Sequence, residues 1–448
     1  MKKRNLSQII SVLSVLAMAM PTALALEFPK PATNADYVAL NQKEVEIGQL
    51  LFWDPILSGN KNISCGTCHH PKFGTGDGVS LSMGEGGLGL GPKRLPVEGN
   101  VPEQRIPRNA PALFNLGAKE FAVMFHDGRL EADATMKSGL RTPLDDDMVA
   151  GFSGVLSAQS MFPVLSPDEM AGHNNENDVA KAVRQGLITG DGGAWDIISK
   201  RVSSIEQYQA MFKGFNPEIA GGKPIDFTDI SDALAAFIAF EWRGDNSAFD
   251  RYLRGETALS SLEKTGMDLF YGDAGCSSCH SGTFQTDHGF HAMGVPQIGP
   301  GKAAKFENDS QDTGRMRVTG DSGDAYAFRT PSLRNVTMTA PYGHSGAYRD
   351  LRAFVESHVK PDVAQETYKR DQVVFAAFTP PKNDWAALND KTEVGAIKSA
   401  ATAYTAQLSA NDVDALMAFL GSLADEKSVA GRLGIPAIVP SGLPVDVD

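Results

Sequence analysis

The four cysteines of this 448-residue chain form two C-x-x-C pairs, and a histidine directly follows each pair. This spacing is typical of c-type haem attachment, because two thiols can add to the two vinyl groups on one edge of a porphyrin. The next residue can then bind the iron through its imidazole. We therefore predict two covalently bound haems. Their attachment and ligand residues are Cys65, Cys68 and His69 in the first motif and Cys276, Cys279 and His280 in the second.

Two other uses of paired cysteines fit this sequence poorly. A zinc ribbon places its two C-x-x-C pairs about 15–20 residues apart, whereas most of the chain separates these two pairs. A thioredoxin-like dithiol needs a strand before it and a helix after it. Residues 59–64, which precede the first pair, are polar and show no strand pattern. Haem attachment is therefore the preferred interpretation.

The first 25 residues have the pattern of a secretory signal. Residues 1–4 are basic, residues 9–20 form an apolar run too short to span a bilayer, and small residues at 23–25 fit a signal peptidase. We predict cleavage after Ala25, a mature chain starting at Leu26 and a periplasmic location. The alternative is an uncleaved N-terminal membrane anchor.

Length, charge and periodicity bound the architecture. The chain is longer than one hydrophobic core usually holds, which favours two domains. The net charge of -13 argues against nucleic acid or anionic lipid and is compatible with a basic protein or a small neutral substrate. Apolar residues recur at helical spacing before each haem motif, as in residues 45–52 and 262–270. A helix, a haem motif and a long loop thus occur twice.

We therefore predict a mainly α fold with two cytochrome c-like domains, each wrapping one haem, joined and covered by long loops. The predicted segments are a signal peptide over 1–25, an N-terminal domain over 26–254, a C-terminal domain over 255–428 and a Pro-rich surface tail over 429–448.

Several further segments resemble the bacterial di-haem cytochrome c peroxidase family, including its MauG-like branch, whose enzymes oxidise tryptophan in a partner protein. The resemblance covers almost the whole chain after the signal. Besides the two haem motifs, its segments are 108–111, 125–129, 246–252, 314–320, 329–335 and 339–346. It implies that peroxide reacts at the N-terminal haem, that the C-terminal haem carries electrons, and that a calcium ion lies between the domains.

The axial ligands decide what each haem can do, since a peroxidase needs one open iron position and an electron carrier needs none. After His70 no histidine occurs before His126, so the Gly-rich loop 79–107 cannot supply the second histidine that some relatives use to close the first haem. We therefore expect the first haem to be open.

The second haem has a candidate sixth ligand in His358. Residues 351–358 place this histidine in the middle of an apolar helical face, where an ordinary core histidine is the simpler interpretation. In the resembled family a Met or Tyr ligand follows the Thr-x-Pro element at about this distance, which favours His358 as the ligand. Alternative ligands are Met293, Met316 and Met338.

The resemblance also implies a catalytic carboxylate, in a Pro-x-Glu-Met element that this chain matches at residues 167–170. Glu169 would take a proton from one peroxide oxygen and return it to the other. The competing interpretation is structural: Ser166, Pro167 and Glu169 have the pattern of a capping box at a helix start.

Two further roles depend on the resemblance alone. His126 stands where the family usually has a tryptophan between the haems, so it is a candidate inter-haem relay, although an imidazole carries oxidising equivalents poorly. Its alternative role is a hydrogen bond to a ligand or a haem propionate. Calcium would be bound by the Asn109 side chain and by the carbonyls of Thr339 and Pro341, which are hard oxygen donors.

Three functions follow. The leading hypothesis is a periplasmic di-haem peroxidase that reduces hydrogen peroxide with electrons from a small cytochrome c or cupredoxin. The first alternative is a MauG-like enzyme that uses peroxide to oxidise tryptophan in a partner protein. An open first haem and a non-methionine ligand of the second haem favour this alternative. The second alternative is a plain electron-transfer cytochrome with both irons saturated.

Overall fold

The computed structural model describes residues 28–173, 175–302, 310–402 and 406–447. The predicted signal peptide and its cleavage site lie outside the described residues. The described chain is mainly helical, with three small antiparallel sheets, and the predicted fold class is confirmed. Among these residues, none of the helices combines the length and apolar character needed to cross a bilayer.

Helices supply most of the regular structure. Those of the first half are α1 (Gln42–Trp53), α2 (Cys65–Cys68), α3 (Val155–Gln159), α4 (Asp178–Arg184), α5 (Ala194–Ser203), α6 (Glu206–Phe215), α7 (Pro217–Ala220), α8 (Phe227–Glu241) and α9 (Ala248–Leu253). Those of the second half are α10 (Ser261–Tyr271), α11 (Met316–Thr319), α12 (Leu351–His358), α13 (Ala364–Thr367), α14 (Ala386–Asn389), α15 (Lys391–Ala400), α16 (Ala410–Ser422) and α17 (Glu426–Ala430). The sheets are β1 (Gly87–Leu88) with β2 (Leu95–Pro96), then β3 (Val123–Met124), β4 (Leu130–Ala132) and β5 (Leu140–Arg141), and finally β6 (Phe290–His291) with β7 (Phe328–Arg329).

Each half is built on two helices that approach closely at a glycine. Helix α1 packs on α8, and α10 packs on α16. A Cβ added at Gly48 would lie 1.8 Å from the carbonyl oxygen of Ala233, and one added at Gly266 would lie 1.9 Å from that of Ala415. Only glycine permits such backbone contact. Because α1 and α10 each lead into a C-x-x-C-H motif, the helix and motif repeat predicted from the sequence is also a structural repeat.

The two halves have separate hydrophobic cores. One core draws mainly on residues 32–242 and the other on residues 249–423. Val439, which is 4% exposed, belongs to the first core, and other apolar residues of segment 429–447 pack against it. This segment, which we predicted as a surface tail, therefore returns from the second half and packs on the first.

Buried arginines connect the two halves. Arg108 Nε and Nη2 each donate to a carboxylate oxygen of Asp312, both at 2.7 Å. Arg105 Nε lies 3.0 Å from Asp384 Oδ2, and its guanidinium stacks 4.0 Å from the centre of the Phe375 ring. Since these charged groups are buried and paired across the halves, they hold the two cores in one arrangement around the cavity described below.

Candidate active site

A cavity of about 600 Å³ runs past both C-x-x-C-H motifs. Its wall is mostly apolar, and it contains the cysteines and the histidine of each motif. All four cysteines are free, so none is consumed in a disulfide. A largely apolar cavity with thiols and imidazoles at two points suits flat, mostly apolar macrocycles attached through those thiols.

The first motif presents His69 in the form that binds a metal. Helix α2 carries both cysteines in one turn, and His69 N donates to the carbonyl of Cys65 at 2.9 Å. The His69 Nδ1 atom lies 3.0 Å from the carbonyl oxygen of Thr75. Because a carbonyl only accepts, Nδ1 carries the proton and Nε2 is left with a free lone pair. Burial lowers the pKa of His69 and so favours this neutral ring.

The second motif has the same arrangement and a partner imidazole. His280 Nδ1 donates to the carbonyl of Gln285 at 3.1 Å, and burial lowers the pKa of His280. The ring centres of His280 and His358 are 6.3 Å apart. Two imidazoles bound to opposite sides of one metal ion, at about 2.0 Å each, have ring centres about 6 Å apart. The observed separation therefore fits a single iron between the two rings.

Helix α12 places His358 at its C-terminal end, in the cavity wall. Burial, together with His280, lowers the pKa of His358 to about 4, so the ring is neutral. Of the alternative ligands, Met293 also lines the cavity, whereas Met316 and Met338 are not among its lining residues. The structure thus brings His358, and not these two methionines, to the second motif.

His69 has no such partner: among the described residues, no imidazole faces it as His358 faces His280. A carboxyl near this motif is that of Glu169, which lines the cavity and, after Asp77 and Arg94, acts electrostatically on Cys68. Its carboxylate forms no hydrogen bond with a described residue. Glu169 is therefore available to a small molecule in the cavity.

Glu169 lies in a single π-helical turn, Pro167–Ala171, that follows Ser166. The side chain of Ser166 makes no capping hydrogen bond, so the capping box considered from the sequence does not form. Burial raises the pKa of Glu169, while the positive charges of Lys302 and Arg129 lower it and limit the rise. The carboxyl therefore titrates closer to neutrality than an exposed glutamate does.

Sequence reasoning missed Lys302, which the second half contributes to the same cavity wall. Burial and the neighbouring Arg129 and Arg108 lower the pKa of Lys302 to about 8. Among the charged groups that shift the pKa of Glu169, Lys302 has the largest effect. No local sequence signal marks this lysine, because only the packing of the two halves brings it near the glutamate.

The cavity wall also holds a cation without a carboxylate partner. The Arg329 guanidinium donates to two backbone carbonyls, those of Phe125 at 3.1 Å and Thr330 at 3.4 Å, and to no carboxylate among the described residues. Burial lowers its pKa to about 10. A buried, unpaired cation is costly unless an anion reaches it. Haem propionates are such anions, so the wall fits the predicted cofactor in charge as well as in shape.

His126 lies in the cavity wall, and its backbone carbonyl accepts a hydrogen bond from Arg329 N at 2.7 Å. Burial and nearby positive charge lower its pKa well below the usual histidine range. His344, to which the sequence analysis gave no role, lies close enough to act on it electrostatically. The His344 ring stacks on Phe328 with centres 3.8 Å apart. Two neutral imidazoles thus occupy this part of the wall.

The three residues of the predicted calcium site also line the cavity. Asn109 Nδ2 donates to the carbonyls of Val79 at 2.9 Å and Ser80 at 3.2 Å, and Thr339 Oγ1 donates to the carbonyl of Val336 at 3.1 Å. Asn109, Thr339 and Pro341 therefore all border the same cavity. Among the described residues, one group of potential metal ligands lies at the second haem motif and not at this predicted site. It consists of Cys279, Asp287 and His291.

Known proteins resemble this chain over most of its length. A sequence model described as di-haem cytochrome c peroxidase matches residues 42–258. The methylamine utilization protein MauG of Methylorubrum extorquens is 29% identical over 365 residues, which are 78% of this chain and 80% of the relative. Cytochrome c551 peroxidase of Pseudomonas aeruginosa is 29% identical over 332 residues, 74% of this chain and 76% of the relative. The crystal structure of a MauG-like protein associated with microbial copper homeostasis superposes with a TM-score of 0.57 at 25% identity, covering 92% of this chain and 97% of that one.

Proposed function

This chain belongs to the di-haem cytochrome c peroxidase family, and we propose that it reduces hydrogen peroxide at its N-terminal haem with electrons that enter through its C-terminal haem. The observation that carries this proposal is an asymmetry. His280 is faced by a second imidazole, whereas among the described residues no imidazole faces His69 in this way and the carboxyl of Glu169 lines the same cavity. An open position suits peroxide binding, and a filled one suits electron transfer.

Each haem, when bound, supplies the iron redox chemistry that protein side chains lack. The chain's contribution is to hold the two groups in place. The residues that would do so are Cys65, Cys68 and His69 for the first haem and Cys276, Cys279, His280 and His358 for the second. Arg329 would offer a positive charge to a propionate.

In this proposal Glu169 is the general acid–base group that transfers a proton between the two peroxide oxygens. Its carboxylate would take a proton from one oxygen of peroxide and return it to the other oxygen, which becomes the first water. Two electrons and two protons convert each peroxide into two waters. Burial raises the pKa of Glu169, while the positive charges of Lys302 and Arg129 lower it and so favour the carboxylate form that would accept the first proton.

Two finer roles belong to the proposal. His126, in the wall of the cavity that reaches both motifs, would help charge pass between the haems. Asn109, Thr339 and Pro341 would supply oxygen ligands to a calcium ion, and their presence in the lining of the same cavity is compatible with this assignment.

The proposed setting is the periplasm, on the basis of the signal pattern in residues 1–25 and the bacterial relatives. The electron donor would be a small cytochrome c or cupredoxin. The chain's net charge of -13 favours a donor with a basic surface.

Spectroscopy and turnover test the proposal together. The oxidised holoprotein should show one high-spin and one low-spin haem, and it should consume peroxide when reduced cytochrome c is supplied. Two low-spin haems would contradict the open site. A mixed-spin protein that does not consume peroxide with any donor would contradict the peroxidase activity.

A second candidate is oxidation of tryptophan in a partner protein, with peroxide as the oxidant. The observation that favours it is an imidazole rather than a methionine facing His280. Mass spectrometry of a partner protein after incubation with enzyme and peroxide would detect oxygen added to tryptophan. Peroxide consumption that depends on this partner, and not on reduced cytochrome c, would favour this function over the first.

A further inference from the structure

The two haem-attachment turns differ in how the rest of the chain covers them. In the first turn, Gly66 and Thr67 are buried, and Thr67 is 1% exposed. The matching residues of the second turn are Ser277, which is partly exposed, and Ser278, which is exposed. Since the two motifs have the same spacing, this difference arises from the surroundings of each turn.

The C-terminal segment covers the first turn. It is first fastened at Glu241, whose carboxylate accepts hydrogen bonds from Leu433 N at 2.7 Å and Gly434 N at 2.8 Å. Gln49 Nε2 donates to the carbonyl of Gly434 at 2.8 Å. These hydrogen bonds, with a further one from Gln49 Nε2 to the carbonyl of Leu433 at 3.3 Å, hold the start of the segment on α1 and α8.

A second attachment point is Asp54, which is fully buried just after α1. Its carboxylate accepts hydrogen bonds from Ser441 Oγ at 2.6 Å and from Tyr208 at 2.8 Å. Val439, two residues earlier, is buried in the core of the first half. The segment is therefore packed on the first half and not merely laid over its surface.

The end of the segment reaches the haem motif itself. Thr67 stands between the two attachment cysteines, and its hydroxyl donates to Asp446 Oδ2 at 2.6 Å. The same Thr67 oxygen accepts a hydrogen bond from Ser64 N at 3.1 Å. Thr67 therefore connects the backbone of the attachment turn to a carboxylate close to the C-terminus.

We propose that residues 432–447 form a C-terminal latch that closes the first haem-attachment turn and keeps protein electron donors away from the edge of the first haem. The edge of a c-type haem lies at its attachment cysteines, and the latch covers that turn in the first half alone. A protein donor is thereby directed to the exposed second turn. The shielding part of this inference rests on the proposed function, whereas the closing of the turn does not.

Hydrogen exchange on the oxidised holoprotein tests the closing. The variants are Thr67→Val, which removes the hydroxyl at nearly constant size, and a truncation after Pro440, which removes the Ser441 and Asp446 contacts. The control is Ser278→Val, the matched position in the second turn, whose hydroxyl donates to the carbonyl of Gly275, contacts Cys279 Sγ at 3.9 Å and has no bond to the described residues of the C-terminal segment. Losing a hydrogen bond to a charged group should speed amide exchange in residues 64–69 by about tenfold or more, with residues 275–280 unchanged.

Reduction kinetics test the shielding. In the truncated variant, a reduced basic cytochrome should reduce the first haem faster than in the wild type, while a small reductant such as ascorbate should act at the same rate on both. Unchanged exchange in residues 64–69 in both variants would overturn the latch. Faster exchange without faster reduction by the cytochrome would overturn its shielding role. If the truncated chain does not fold, Thr67→Val decides both points, and neither readout requires peroxide turnover.

Discussion

The imidazole rings of His280 and His358 lie 6.3 Å apart, centre to centre, and their planes are inclined by 48°. The two rings come from different elements, the second haem motif and the end of α12. Both are partly buried, and their lowered pKa values make them neutral, which leaves a ring nitrogen of each available to a metal. This relationship makes a bis-histidine second haem the most direct hypothesis to test.

Replacing His358 by alanine should convert the second haem from low-spin to high-spin or let an added ligand such as imidazole bind it. Covalent attachment should be intact, because the cysteines are unaffected. Electronic absorption and electron paramagnetic resonance spectra would show the change. Met293→Ala is the control, since Met293 also lines the cavity. A low-spin second haem in the first variant and a high-spin one in the control would make Met293 the ligand.

Replacing Glu169 by glutamine should slow the reaction of the oxidised enzyme with peroxide by about 10² to 10⁴, the usual contribution of general acid–base catalysis. Because no capping box involves this side chain, unfolding should be little affected. Stopped-flow absorption after mixing with peroxide measures the rate. Asp168→Asn is the control, since this neighbouring carboxylate is engaged by Gln104 at 2.7 Å. A wild-type rate in Glu169→Gln would leave this residue without a catalytic role.

Replacing Lys302 by methionine should move the acid limb of the peroxide reaction to higher pH. Lys302 lowers the pKa of Glu169, so its loss raises that pKa. The carboxylate is the reactive form, and the rate falls as the pH drops through its pKa, so this fall begins at higher pH in the variant. Lys302→Arg keeps the charge and should leave the limb near its original position. The pH dependence of the stopped-flow rate checks both variants, and identical profiles would remove Lys302 from the mechanism.

Replacing Arg108 by leucine should lower the free energy of unfolding by about 3–5 kcal/mol, because it leaves the buried carboxylate of Asp312 without its cationic partner. Arg108 pairs with Asp312 and, at 2.7 Å, with Asp127. Denaturant unfolding would measure the loss. The pair of Arg141 and Asp133, whose arginine is exposed, offers a contrast, since Arg141→Leu should change the free energy of unfolding little. Equal losses in the two variants would contradict the role of Arg108 in joining the halves.

The sequence was sufficient for those features that depend on a few adjacent residues. The two C-x-x-C-H motifs need only five positions each, because the geometry of thioether attachment is local. Apolar residues at helical spacing likewise predict α1, α10 and α12, since an amphipathic helix records its buried face in its own sequence. Which helices those faces pack against is known only from the structure, through the close contacts at Gly48 and Gly266.

The remaining features arise where distant segments meet. Three of them involve residues far apart in the sequence. They are the positive charge of Lys302 near Glu169, the Arg329 guanidinium that contacts the carbonyl of Phe125, and the hydrogen bond from Thr67 to Asp446. The residues adjacent to Glu169 in the sequence likewise did not decide whether its side chain caps a helix or lines the cavity. Burial and electrostatic environment are properties of the packed molecule, so only the tertiary structure reveals which charges lie close together, which lack a partner and which haem turn is covered.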